Sequence, residues 1–186
     1  MKIPQSAKLV FKGTIFDVYQ WEQKMYDGSH ETFEMLKRPD TTQVIATYDG
    51  KIIIAEEQQP QRPSAYFTLF GGRVENGEES LAAAKRELLE EAGMASNDWE
   101  LWRTDEPVGK MEWTVYTYIA RNCKKVQEQN LDAGEKITVK EITFEQFVAD
   151  ATHPSFRSLG ITLELLKLQL EPRKLALFKQ QLFKKP

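Results

Sequence analysis

Residues 71–94 read GGRVENGEESLAAAKRELLEEAGM, and this stretch decides both the fold and the chemistry of the chain. Apolar residues recur in it at helical spacing, at Leu81, Ala84, Leu88 and Ala92. This stripe predicts an amphipathic helix with one face in a core. Gly93 is suited to the left-handed conformation that ends many helices. The stretch therefore predicts a glycine-rich loop that leads into a capped helix.

Three carboxylates crowd the last turns of this predicted helix, at Glu87, Glu90 and Glu91. Like charges at such spacing destabilise an isolated helix by ~0.2–0.5 kcal/mol per pair. A solvated face explains many acidic runs, but Glu91 falls next to the apolar stripe, where we expect partial burial. Carboxylates that converge beside a core resist ionisation unless a cation offsets them. Oxygen ligands suit Mg²⁺, with Mn²⁺ as the alternative.

A spacing pattern joins the loop to the acids. From Gly72 the chain matches G-x5-E-x7-R-E-U-x-E-E-x-G-U at every specified position, where U is a bulky apolar residue. This pattern resembles the signature of the Nudix hydrolases. The resemblance implies an α/β fold with a mixed β-sheet sandwiched between α-helices, preceded here by an N-terminal antiparallel β-sheet region. It also implies metal-dependent hydrolysis of a nucleoside diphosphate linked to another moiety.

The resemblance assigns roles to the residues of this pattern. It implies metal ligands at Gly71 (through its carbonyl), Glu87 and Glu91. Glu90 would be a further metal ligand or the catalytic base. Arg86 would be a further catalytic residue. Glu78 would contact Arg86 outside the metal site and so help to orient the loop against the helix. A surface ion pair is the alternative reading for Arg86 and Glu78.

Four features outside the pattern resemble the branch of the family that cleaves ADP-ribose and nucleotide sugars. They are a long N-terminal strand region, the segment AEEQQPQR at 55–62, Pro107, and the acidic loop LDAGEKI at 131–137. The likeness implies substrate binding by Glu57, Arg62 and Gly72. It implies a late catalytic carboxylate at Glu135, so the base is either Glu90 or Glu135. The products would be a nucleoside monophosphate and a sugar phosphate.

The remaining chain shows mostly strand patterns. Alternating aromatic-rich runs surround Asp27-Gly28 and Asp49-Gly50, two dipeptides typical of hairpin turns. We expect a loop over QQPQRPSAY, a short strand over FTLF, and strands over WELWRT, EWTVYTYIA and the end of DAGEKITVKEIT. Two or three helices should follow from Phe144 onward.

The composition limits which binding partners and which cellular compartment we expect. A net charge of −3 argues against a nucleic-acid binder, which is usually basic. Cys123 is the only cysteine, so an intrachain disulfide is impossible and a reducing compartment is expected. We find no apolar run of the ~20 residues that a membrane span needs. We therefore expect a cytoplasmic protein with a small-molecule nucleotide as its partner.

The chain divides into three predicted segments. Residues 1–40 carry more large aromatic side chains than a lone set of strands can bury. This excess predicts a homodimer through this region. Residues 41–171 form the predicted hydrolase domain. Residues 172–186 form a basic helix, since one acid faces five bases from Glu171 onward. Docking of this helix on the domain or on a second subunit is favoured over a membrane or nucleic-acid role.

Two other functions remain open at the level of sequence. The chain would be a Nudix hydrolase of another substrate class, such as an oxidised nucleoside triphosphate or a capped RNA. Alternatively, it would be a non-catalytic nucleotide-sugar sensor built on the same scaffold. Such sensors lose pattern carboxylates, whereas this chain keeps all of them.

Overall fold

The computed structural model describes residues 1–184, apart from the side chain of Pro63; Lys185 and Pro186, at the end of the predicted basic helix, lie outside the described residues. The strands are β1 (Lys8–Lys12), β2 (Asp17–Lys24), β3 (His30–Lys37), β4 (Thr41–Tyr48), β5 (Lys51–Gln59), β6 (Arg62–Thr68), β7 (Met94–Ala95), β8 (Asp98–Asp105), β9 (Met111–Glu112), β10 (Val115–Arg121), β11 (Lys124–Lys125) and β12 (Lys136–Ile142). The helices are α1 (Ser80–Ala92), α2 (Phe144–Asp150), α3 (Leu159–Gln169) and α4 (Pro172–Leu182). Within residues 1–184, no helix is long and apolar enough to cross a membrane.

The N-terminal region forms a four-stranded sheet in the order β1-β2-β3-β9. The predicted hairpin at Asp27-Gly28 is confirmed, because β2 and β3 pair antiparallel and Gly28 has φ 89°. Strand β9 comes from much later in the chain and pairs parallel to β3. The antiparallel N-terminal strands are therefore tied to the rest of the fold through β9.

The central sheet is mixed. Its order is β12-β5-β4-β10-β8, with β6 paired to the second half of β5. Only the β4–β10 pair is parallel among these ladders of the described chain. The second predicted hairpin, at Asp49-Gly50, joins β4 to β5 with positive φ at both turn residues. That geometry matches the twist of adjacent strands.

Alternate residues of the central strands feed two separate cores. Val44 and Ile53 face α1, whose buried side is formed by Ala84 and Leu88. Ile45 and its neighbours face the opposite core, which is built largely from α2, α3 and α4. Because side chains alternate along a strand, one sheet supplies both cores. The predicted sheet between helices is confirmed.

One predicted loop is wrong. The segment QQPQRPSAY does not form an open loop, because β6 begins at Arg62 and pairs with β5 across a two-residue turn. Hydrogen bonding along β5 outweighs the turn-forming composition of the segment. The predicted FTLF strand is consequently the end of a longer strand, and Phe70 adds only an isolated bridge to Val44.

The C-terminal helix docks on the domain. Phe178 and Leu182 are buried in the core under the sheet, and the Phe178 ring stacks on Trp102 at a centroid distance of 4.8 Å. Lys179 pairs with Glu145 at the N-terminal end of α2. The helical spacing of apolar residues in the tail thus indicated this docking correctly.

Candidate active site

Helix α1 carries the acids as the spacing predicted. Its apolar face packs against the sheet, and Gly93 ends it with φ 64° and ψ 24°, donating to the carbonyls of Leu88 and Leu89. Glu91 is only 7% exposed, so the expectation of partial burial is exceeded. The helix therefore brings a carboxylate to the boundary of the core.

Glu91 is held by the glycine loop that precedes the helix. The backbone N–H of Gly71 donates to Glu91 Oε2 at 2.8 Å. Burial is the main cause that raises the pKa of Glu91 to about 9; the hydrogen bond from Gly71 lowers this pKa, and the nearby carboxylates of Glu87, Glu135 and Glu57 raise it. A carboxyl in this position resists ionisation unless a positive charge joins it.

Glu87 occupies the space above Gly72. A Cβ atom at residue 72 would lie 2.3 Å from Glu87 Oε1 and 2.6 Å from its carboxyl carbon. Any side chain larger than hydrogen would therefore displace this carboxylate. Burial also raises the pKa of Glu87, partly offset by the guanidinium of Arg86.

Gly72→Ala is accordingly expected to lower kcat by about tenfold to a hundredfold, since a displacement of ~1 Å in a catalytic group has costs of this order. Gly109→Ala is the matched control, because a Cβ there meets nothing within 4 Å. Steady-state kinetics and circular dichroism on both variants make the test. Equal activity of the two variants would contradict the role of Gly72 as a space reserved for Glu87.

Arg86 joins the loop to the helix. Its guanidinium donates to Glu78 at 3.1 and 3.2 Å, to the Arg73 carbonyl at 3.0 Å, to Glu87 at 2.8 Å and to Glu90 at 3.1 Å. Glu78 in turn accepts from the backbone N–H of Glu75. Arg86 thus orders the carboxylates while supplying a counter-charge to them.

These residues line a single cavity of about 410 Å³. Its lining residues are Arg38, Thr41, Glu57, Gln59, Gly71, Gly72, Arg73, Glu75, Arg86, Glu87, Glu90, Glu91, Asn130, Asp132 and Glu135. The structure thus brings together every predicted site residue except Glu78 and Arg62. Glu78 lies outside the cavity lining and accepts a hydrogen bond from Arg86.

Arg62 does not line this cavity. It lies exposed at the tip of the β5–β6 hairpin, and its guanidinium lies 5.2 Å from the ring centroid of Tyr66. Its place at the exposed hairpin tip is outside the cavity lining, so substrate binding by Arg62 stays a prediction. The cavity draws its positive charge from Arg38, Arg73 and Arg86.

Arg38 is a site residue that the sequence did not reveal. Its guanidinium lies 4.4 Å from the Trp113 ring centroid and 5.7 Å from that of Phe16. Its buried Nε atom has no hydrogen-bond partner among the described residues. Burial lowers the pKa of Arg38, and the charge of Arg73 lowers it further. The only local signal was its position beside Pro39 at the predicted boundary.

The loop that carries Glu135 is anchored on α1. Gln129 Nε2 donates to the Glu91 carbonyl at 2.6 Å, and the Asn130 N–H donates to the Glu90 carbonyl at 2.8 Å. The N–H of Glu135 then closes a turn onto the Asp132 carbonyl at 2.9 Å. Burial raises the pKa of Glu135. The late carboxylate is therefore held against the same helix that carries the other acids.

The candidate ligand atoms are of the type that binds a hard divalent cation. All the candidate ligands are oxygens, and the space at Gly72 leaves room for a carboxylate beside the loop. Within residues 1–184, however, no three Asp, Glu, His or Cys side chains stand close enough together to hold a metal ion as they are. In this arrangement Arg86 bonds Glu87 and Glu90, and the Gly71 N–H bonds Glu91.

Comparisons with known proteins agree with this architecture. The chain is 27% identical over 139 residues to an ADP-ribose pyrophosphatase of Bacillus subtilis (strain 168), which covers 73% of this chain and 75% of that one. It is 25% identical over 141 residues to a methanol dehydrogenase activator of Bacillus methanolicus, covering 74% and 76%. A crystal structure of an ADP compounds hydrolase shares the fold, with a TM-score of 0.67 at 18% identity over 91% of this chain and 94% of that chain.

The family model described as NUDIX domain matches residues 37–159, well over half of the chain. The match includes α1, the glycine loop and the loop of Glu135. Members of this family act on small nucleotide substrates and generally use a divalent metal ion. The chain therefore belongs to the Nudix family and is a Nudix pyrophosphohydrolase.

Proposed function

We propose that this enzyme hydrolyses the diphosphate linkage of ADP-ribose or of a nucleotide sugar in the presence of Mg²⁺, releasing a nucleoside monophosphate and a sugar phosphate. One observation carries the proposal. The acids of α1 and the arginines Arg38 and Arg73 line the same cavity, with Glu135 delivered from a later loop. Such a cavity offers oxygen ligands for a cation and guanidinium groups for an anionic diphosphate.

Each wall of the cavity has its own task in this proposal. Glu87 and Glu91 would hold the metal with the Gly71 carbonyl. When bound, the metal neutralises the diphosphate and lowers the pKa of a coordinated water. Arg38 and Arg73 would hold the phosphate oxygens by charge-assisted hydrogen bonds. Glu135 would take a proton from the attacking water.

The group attached to the diphosphate has space next to this cavity. A second cavity of about 480 Å³ shares Arg38, Arg73 and Glu75 with the first, and Lys12 and Asp17 are on its N-terminal side. A diphosphate held by the two shared arginines would extend into both spaces. This supports an elongated substrate with a moiety on each side of the diphosphate, such as ADP-ribose. The relative in Bacillus subtilis named for that activity supports the same choice.

Chromatographic separation of the nucleotide products, without a coupling enzyme, tests the proposal. The panel contains ADP-ribose, nucleotide sugars, dinucleoside polyphosphates, an oxidised nucleoside triphosphate and a capped RNA, each with Mg²⁺, with Mn²⁺ and with a chelator. We expect the highest kcat/KM for ADP-ribose or a nucleotide sugar and no turnover with the chelator. Preference for a triphosphate or a cap would overturn the substrate class. Turnover in chelator would overturn the metal requirement.

We also propose that residues 1–40 form a dimer interface beside the hydrolase domain of residues 41–171. All five residues of β1 are exposed, Phe11 among them, and Phe16 and Tyr26 are exposed as well. An edge strand with apolar side chains in water is an open template for pairing with another chain. A second copy of the same strand region would cover it.

Val10→Glu with Phe11→Glu is expected to halve the mass of the assembly in solution, because two buried charges would oppose each other across the interface. Val126→Glu is the matched control, since this exposed residue follows β11, which pairs with β7 and not with the N-terminal sheet. Multi-angle light scattering measures the mass. An unchanged mass in the double variant would locate the interface elsewhere.

A further inference from the structure

Helix α3 exposes a row of leucines to solvent. Leu159 is 73% exposed, Leu163 50%, Leu166 42% and Leu170, the residue that caps the helix, 84%. At about 100° per residue these four lie within roughly 60° of one another on the helix surface. We call these four residues the α3 seam. It is a continuous apolar stripe, not a set of scattered side chains.

The α3 seam lies opposite the face that the helix buries. Ile161, Leu165 and Leu168 pack into the core on the other side. A helix that is apolar on two opposite faces is normally covered on both. Contiguous exposed apolar stripes mark interaction surfaces in soluble proteins. One face of α3 is therefore satisfied by the domain, and the other needs a partner from outside this chain.

The spacing of the seam identifies the partner. The intervals between successive leucines are four, three and four residues, which is the a/d pattern of a coiled coil. The order of intervals is the same when read from either end. Two copies of α3 that meet antiparallel about a two-fold axis would therefore match Leu159 with Leu170 and Leu163 with Leu166 at every level. A self-matching surface of this kind is what an isologous interface requires.

The residues beside the seam are compatible with the same arrangement. In an antiparallel pair, flanking residues on the same side of the two helices face each other, so Lys167 faces Gly160 of the second copy and Thr162 faces Gln169. No like charges face each other in these pairs.

We propose that the α3 seam is a second interface between copies of this chain, formed by antiparallel two-fold packing of α3 on α3. The inference does not depend on the substrate or on the metal. Combined with the N-terminal interface proposed above, it generates a closed assembly of four copies when the two two-fold axes cross at right angles. Alone, it generates a dimer.

The proposal is tested by placing charged residues in the seam and measuring the mass of the assembly. Leu163→Glu with Leu166→Glu is expected to halve the mass measured by multi-angle light scattering, while Leu177→Glu, at a more exposed leucine on α4, leaves it unchanged. The seam variant combined with Val10→Glu and Phe11→Glu should be a monomer of about 21.5 kDa. Circular dichroism checks that each variant is folded. An unchanged mass in the folded seam variant overturns the proposal, whatever the N-terminal variant does.

Cross-linking tests the direction of packing in a protein that keeps most of its seam. Leu163→Cys and Leu166→Cys are purified separately, and the native Cys123 is buried and does not compete. The antiparallel pair brings residue 163 opposite residue 166, within the reach of a disulfide. Mixing the two variants should therefore yield a cross-linked pair, whereas each variant alone yields much less. Cross-linking only within single variants would mean parallel packing and would reject the proposal. A second result would also reject the proposal. It is that the wild-type protein cosediments with phosphatidylcholine–phosphatidylserine vesicles, and that the seam variant loses this binding but keeps the mass of the wild type.

Discussion

Replacing Glu91 by Gln is expected to lower kcat by ~10²–10³ while the chain remains folded, the usual cost of a missing electrostatic group in an active site. Glu91 is the most deeply buried of the cavity acids, and its carboxylate oxygen accepts from the Gly71 N–H. An amide oxygen can accept the same hydrogen bond. An amide cannot supply the negative charge that a divalent cation needs. The substitution therefore separates metal binding from folding.

Stability measurements make this separation visible. Burial holds the pKa of Glu91 at about 9, so the neutral amide resembles the protonated carboxyl that the metal-free protein favours at neutral pH. We expect the metal-free Tm to be retained in Glu91→Gln. Saturating Mg²⁺ should raise the Tm of the wild type, because a ligand that binds only the native state stabilises it, and this rise should be lost in the variant.

Glu79→Gln is the matched control for Glu91→Gln. It lies at the start of the same helix, is exposed and does not line the cavity. Its kcat and its response to Mg²⁺ should match those of the wild type. Near-normal turnover of Glu91→Gln at saturating Mg²⁺ would remove Glu91 from the metal site.

Glu135→Gln is the second large effect, with an expected loss of ~10²–10⁴ in kcat and little change in KM. General base catalysis contributes factors of this size. A base acts in the transition state and contributes little to ground-state binding, so the loss should fall on kcat. The position of Glu135 supports this role, because two hydrogen bonds to α1 anchor its loop against the acids.

Glu90→Gln gives the contrast, since the Glu90 carboxylate lies 3.1 Å from Arg86 Nη1 and is already paired. We expect a smaller loss of kcat in this variant than in Glu135→Gln. Glu128→Gln, in the same loop as Glu135 and almost fully exposed, is the control for loop folding. A severe loss at Glu90 with a small one at Glu135 would move the base onto the helix.

The sequence predicted the features that depend on near neighbours. The spacing of Leu81 to Ala92, the cap at Gly93 and the two hairpin turns depend on residues within a few positions of each other. The periodicity of a helix and the positive φ of a turn follow from such local terms. The side of α1 on which the acids lie was therefore readable before the fold was known.

Contacts between distant segments were not readable in the same way. The packing of Arg38 on Trp113 and the anchoring of the Glu135 loop on α1 join positions 38 to 75 residues apart. The place of Arg62 outside the cavity lining depends on strand pairing. The β5–β6 pairing overrode a loop-like composition because hydrogen bonds along a neighbouring strand outweigh local preference.

By itself, the sequence determined which helix carries the acids, where that helix ends and which residues share its two faces, because periodicity and glycine conformation are local properties. Only the tertiary structure decided which positive charges oppose those acids, because Arg38 and Arg73 reach the cavity through the arrangement of β3, β4 and the glycine loop around α1. The depth of Glu91 was likewise decided by packing, since its burial depends on the sheet that α1 covers and on the loop that closes over it.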